Sequence, residues 1–208
     1  MLRFSLTAAV LLFSTAVAGA GRAAPQASGA AGQSASTAPM QFFTSSEGRF
    51  SVMMPGTPAK DSQQAKLGDS ASTTIYQFSV SLANDNISYM VMYNDYPAGY
   101  AEDAPQAVLA RTRDGAVKSK TLNSDQAIEM TVSAGPDASS SKDAGDQGRS
   151  SAGAVVPGRA FTAADSDGWN YSVRQFLRGK RLYQLIVVSG KGMTAAQTGE
   201  FMNSFRIF

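Results

Sequence analysis

The 208-residue chain contains no cysteine and no histidine. Without cysteine there is no disulfide, no thiolate nucleophile and no attachment point for the lipid of a bacterial lipoprotein. Without histidine the commonest general base and the commonest metal ligand are gone. Together these absences exclude Ser-His-Asp and Cys-His mechanisms, and ordinary zinc and iron–sulfur sites. No cofactor is implied. Excess charge of one sign is missing as well. The formal net charge is +2, and setting aside Arg3 and Arg22 leaves 16 basic residues against 16 acidic ones. Such a balance does not fit a general nucleic-acid binder. A long apolar run is also lacking, because Leu6 to Val17 is too short and too rich in small residues to span a bilayer comfortably.

That short run has a different use. Arg3 supplies a positive start, Leu6 to Val17 an apolar middle, and Ala16-Val17-Ala18 a small-residue cleavage pattern, with Ala18-Gly19-Ala20 and Gly21-Arg22-Ala23 as competing sites. Residues 1–20 therefore read as a secretory signal peptide, which places the protein in a bacterial periplasm or outside the cell. Residues 21–40 are mostly Ala, Gly, Ser and Gln with Pro25 and Pro39, the composition of a flexible linker. Residues 41–208 remain for a single folded domain.

Within that domain the clearest unit is Trp169 to Val188. Trp169, Tyr171 and Val173 alternate with polar residues, as in a half-buried strand. Leu182 to Val188 is apolar at almost every position, as in a central strand buried on both faces. Gly179-Lys180 between them suits a type II′ turn, with Gly179 supplying the positive φ. Alternation predicts further strands at Arg49–Met54, Gln63–Leu67, Ala71–Leu82, Ile87–Tyr96, Ala127–Val132 and Ala154–Ala163. Two helices are expected. One opens at Asp103, with Asp103 and Gln106 as a capping box and Pro105 in its first turn. The other opens at Thr194, with Gln197 as its capping partner. Residues 134–153, rich in Ser, Gly and Asp, read as a disordered loop. Strands with two helices make an α+β domain, an antiparallel sheet flanked by helices.

A set of phrases then points to a family. They are Arg49-Phe50-Ser51-Val52 with Pro55-Gly56-Thr57-Pro58, Gly158-Arg159-Ala160-Phe161, Tyr171-Ser172-Val173-Arg174, Arg181-Leu182-Tyr183-Gln184-Leu185 and Phe201-Met202-Asn203-Ser204-Phe205. In this order they resemble exported bacterial domains of unknown function in the PsbP/Mog1-like superfamily. The resemblance spans residues 41–208 and implies a curved antiparallel sheet in an α/β/α sandwich. Members include an extrinsic photosystem subunit and a partner of a small GTPase. No position here matches a functional motif of either.

Other chemistry is thin. Gly68-Asp69-Ser70 has the order of a hydrolase nucleophile block but lacks its histidine. Asp165, Asp167 and Gly168 fit a hairpin turn better than a calcium loop, which needs more ligands and a closing Glu. Met53, Met54, Met90 and Met92 could offer thioethers to copper(I), but strand alternation accounts for them as core. The functional expectation is a non-catalytic periplasmic or secreted binding or accessory module, with an envelope protein or small ligand as its unidentified partner. An alternative is a small-ligand carrier with a pocket between sheet and helix, marked by Met, Phe and Tyr in the lining and one inward Arg. A third is a carboxylate-only enzyme using Glu102, Asp103 or Glu129. For partner binding, Arg178, Lys180 and Arg181 at the hairpin turn are the candidates, joined by Arg159 if its strand pairs with that of Trp169.

Overall fold

Side chains that alternate at period two demand a sheet with two different faces, and each face here has its own cover. The computed structural model describes residues 38–67, 71–82, 86–133, 153–191 and 196–208. The expected signal peptide, the linker up to residue 37, the Gly68-Asp69-Ser70 segment, residues 134–152 of the expected loop and the helix start at Thr194 all lie outside the described residues. Seven strands form one antiparallel sheet. They are β3 (Ala59–Leu67), β4 (Ala71–Leu82), β5 (Ile87–Asp95), β6 (Thr121–Thr131), β7 (Val155–Ala164), β8 (Asn170–Arg178) and β9 (Arg181–Ser189), in the spatial order β3-β4-β5-β9-β8-β7-β6. A smaller sheet has β2 (Phe50–Met54) between β1 (Gln41–Ser45) and β10 (Arg206–Ile207).

The apolar run Leu182 to Val188 lies in β9, the fourth of the seven strands, between β5 and β8. Its side chains divide as alternation requires. Tyr183, Leu185 and Val187 pack with Phe50, Val52 and Met54 of β2 and with Phe201 and Met202 of α2 (Thr198–Ser204). Ile186 and Val188 pack on the opposite face with Met90, Met92, Phe161 and Val173. On that face lies α1 (Pro105–Ala116), whose Val108 and Leu109 meet Leu177 and Leu182. The α+β expectation holds: an antiparallel sheet has one helix on each side, and the small sheet shares the layer of α2.

The β8–β9 hairpin closes through Gly179 and Lys180, with Arg178 opposite Arg181. Gly179 has φ +56° while Lys180 keeps a negative φ, as a II′ turn requires. Asp165 makes the preceding turn. Its Oδ1 accepts from the backbone N–H groups of Asp167 (3.0 Å) and Trp169 (2.9 Å), and its Oδ2 from the Tyr171 hydroxyl (2.8 Å). This is hairpin chemistry, as composition indicates.

The capping box expected at Asp103 and Gln106 is not made. The N-cap of α1 is Ala104, with no side-chain cap; Asp103 is ion-paired to Arg111 at 2.6 Å, and Gln106 donates to the Gly158 carbonyl at 3.2 Å. Pro105 opens the helix as expected, since its missing N–H would have no intrahelical partner. Gln197 caps nothing with its side chain, which donates to the Ala38 carbonyl at 2.8 Å. Asp103 is taken by Arg111, two turns along the same helix, and Gln106 by a strand carbonyl; the box expected at Thr194 lies outside the described residues.

Candidate cavity beneath helix α1

Helix α1 presents Val108, Thr112 and Gly115 toward the sheet, at the spacing of one helical face. Val108 is buried, but the next two positions carry little bulk. The floor opposite them consists of Ile75 on β4, Met92 on β5, Ile186 on β9, Val173 on β8 and Phe161 on β7. Val173 is the cross-strand partner of both Ile186 and Phe161, so the floor is continuous. Small side chains above and a continuous apolar floor below leave a cavity of about 140 Å³, partly open to solvent.

One wall comes from the segment after β5. The Tyr100 hydroxyl donates to the Leu67 carbonyl at 2.7 Å, tying that segment back to β3. The Tyr96 hydroxyl lies 3.4 Å from that of Thr112, which itself donates to the Val108 carbonyl at 3.0 Å. Two cations line the cavity, and both are engaged. Arg111 pairs with Asp103, while the Lys120 ammonium lies 3.3 Å from the Ala116 carbonyl and 4.7 Å from the centre of the Tyr171 ring. No Asp or Glu lines the cavity among the described residues. Burial, and then the neighbouring Asp165 carboxylate, push the Tyr171 phenol up to about 12, so it stays protonated at neutral pH.

Two neutral polar side chains also face this space. Asn94 on β5 is 4% exposed and Gln184 on β9 is 7% exposed. Their strands pair with Asn94 opposite Leu182 and Met92 opposite Gln184, so the two carboxamides are diagonal neighbours on one face. Gln175, fully buried, meets one end of the Gln184 carboxamide at 3.2 Å. Among the described residues the Asn94 side chain makes no hydrogen bond.

The basic residues singled out in the sequence sit elsewhere. Strand β7 does pair with β8, but Arg159 projects from the α1 face, whereas Arg178 and Arg181 project from the opposite one. The expectation that Arg159 joins the turn cluster is therefore corrected by alternation: Arg159 shares its face with Phe161 and binds Asp125, which also pairs with Arg113 of α1. Arg178 donates to the Phe208 carbonyl at 2.9 Å. Arg181 holds Asp95 through two bonds of 2.7 and 2.6 Å and donates to the Glu47 carbonyl at 3.0 Å. Lys180 is exposed at the turn. Three of the four thus fasten one part of the fold to another.

The carboxylate candidates do not line the cavity either. Glu102 accepts from the Gly99 N–H at 2.9 Å, Asp103 holds Arg111, and Glu129 lies opposite Pro157 on edge strand β6. The methionines divide between faces, with Met54 on the α2 side and Met90 and Met92 on the α1 side. Among the described residues no group of three metal-ligating side chains of the His, Cys, Asp and Glu types occurs, and no helix is long and apolar enough to cross a membrane. Sequence reasoning did not single out Asn94 and Gln184. The available signal was a lone carboxamide at an inward position of an otherwise apolar strand.

No protein-family profile matches the chain, and no curated protein matches it. Among solved structures the chain is similar to cyanobacterial PsbP (CyanoP) from Synechocystis sp. PCC 6803. That likeness has 8% identity and a TM-score of 0.45, over 86% of this chain and 98% of the other. No residue role is carried across at that distance.

Proposed function

We propose that the protein is an exported, non-catalytic binding module whose site is the cavity between α1 and the sheet. The supporting observation is the cavity itself. A well-packed interior leaves few voids larger than a water molecule, yet here a helix with small residues at two successive turns stands over an apolar floor. Met92, Phe161, three tyrosines and Arg111 are in its lining, the composition that marks the carrier alternative. The volume is close to that of an apolar cavity of about 150 Å³ known to take one benzene ring. A ring-sized ligand is the natural occupant.

The non-catalytic reading rests on the absence of histidine and cysteine and on a lining without carboxylates among the described residues. A carboxylate-only hydrolase needs two acids about 5 to 9.5 Å apart across its substrate, and among the described residues the cavity supplies none. Export rests on the pattern of Met1 to Ala20 and places the module in the periplasm or outside the cell.

Native mass spectrometry of protein purified from its source's envelope fraction tests the reading. The expected result is a small-molecule adduct on the wild-type protein that is lost in Gly115→Leu, whose side chain fills the cavity from above. That variant should keep or raise the melting temperature, because glycine inside a helix costs about 1 kcal/mol relative to a good helix former. An adduct retained equally by Gly115→Leu would move the site elsewhere. A protein partner held alike by both forms, without any adduct, would favour an accessory role over a carrier.

A further inference from the structure

The inference here rests on the cavity being the binding site and concerns what it binds. We infer that the occupant is a small, neutral, planar ring bearing a hydrogen-bond donor beside an acceptor, as in a primary carboxamide or a lactam, read by Asn94 and Gln184.

The argument starts from the cost of burying amides. A carboxamide carries two donors and an acceptor, and removing them from water without partners is unfavourable. Buried polar groups are therefore nearly always paired, and an exception calls for a specific cause. Asn94 is only 4% exposed and makes no hydrogen bond to the protein among the described residues, but its carboxamide atoms are not sealed off from solvent: they open on an otherwise apolar cavity, where a ligand would have to pair them. Gln184, 7% exposed, is held at one end by Gln175. Its other end is left for the cavity. Two adjacent strands thus place two carboxamides side by side, aimed at the same space. A ligand edge that both donates and accepts satisfies them together. A purely apolar ligand would leave Asn94 and the second end of Gln184 without a partner, at a cost in affinity.

Charge argues for a neutral ligand. The cations of the lining are already engaged, Arg111 by Asp103 and Lys120 by the Ala116 carbonyl and the Tyr171 ring. The polar groups left for a ligand are neutral: the Asn94 carboxamide and the end of Gln184 that Gln175 does not hold. Size argues for a single ring, since about 140 Å³ holds one ring and a short substituent.

The test compares toluene, benzamide and benzoate against the full chain, with dissociation constants from chemical-shift titration. Benzamide is expected to bind about tenfold or more tightly than toluene, as expected when a polar site meets an analogue lacking its hydrogen-bonding groups. Benzoate is expected to bind more weakly than benzamide. In Asn94→Leu, nearly isosteric, the preference for benzamide should largely vanish while toluene still binds. The melting temperature of the unliganded variant should hold or rise, because an amide that bonds to nothing in the protein has been replaced by an apolar group of similar size against the apolar floor. Equal affinity for toluene and benzamide would overturn this inference and leave the cavity standing as a site. Tightest binding of benzoate would overturn it in favour of an anion, and failure of all three probes would remove the binding site as well. A clear fall in melting temperature for Asn94→Leu, with the ligand preference intact, would make Asn94 structural.

Discussion

Single residues show where this fold has no slack. Leu185 is fully buried at the middle of the central strand. Leu185→Ala is expected to cost roughly 2 to 5 kcal/mol, combining lost transfer energy with a residual void; urea denaturation measures it, and a loss under about half a kilocalorie would contradict the packing described. Gly158 is constrained by space, because a Cβ there would lie 2.7 Å from the Gln175 carbonyl and 2.6 Å from the Phe176 ring. Gly158→Ala must push β7 away from β8 and should cost about 1 to 3 kcal/mol. Asp125 carries a pH dependence. The hydrogen bond from Arg159 is the main cause holding its carboxyl below the usual 3.8, against a desolvation that would raise it. A carboxylate with a depressed folded pKa stabilises the fold above its unfolded value and loses that contribution as pH falls through the folded one. Stability should therefore decline below about pH 5, and Asp125→Asn should flatten that part of the profile while lowering stability at neutral pH. An unchanged acid limb in the variant would remove Asp125 from the account.

At the level of elements, the hairpin was the most legible part of the chain. Its alternation, its apolar run and its Gly-Lys turn all depend on local rules, and each appears as expected in β8 and β9. Gly179 supports a prediction here: at φ +56° a side chain is strained, so Gly179→Ala should cost about 1 to 2 kcal/mol in a thermal melt and leave the register unchanged. The capping at the start of α1 was misread for an equally physical reason. Asp103 and Gln106 have the spacing of a capping box, but Arg111 and the Gly158 carbonyl of β7 compete for their side chains. The first half of β6, Thr121 to Gln126, is polar and was not legible as strand; its pairing with β7 depends on a partner distant in sequence. The two-residue strand β10 is too short to carry any period.

For the whole molecule, the class of fold could be read but the neighbour relations could not. Periodicity says that β9 is buried on both faces; it does not say that β5 will be its partner, nor that β2 and α2 will share one side. The cavity depends on those long-range relations, since its floor draws on five strands and its roof on a helix. Its polar readers, Asn94 and Gln184, were visible as inward-facing amides only once the inward face was known. The most direct measurement follows the methyl groups of Met92, Ile75 and Ile186 by NMR while toluene is added to the full chain. Met54 and Met202 serve as internal controls, because they pack on the other face of the sheet. The account predicts saturable shifts at the first three methyls and little change at the two controls. Shifts centred on Met54 and Met202, or none at saturating toluene, would contradict a binding cavity beneath α1.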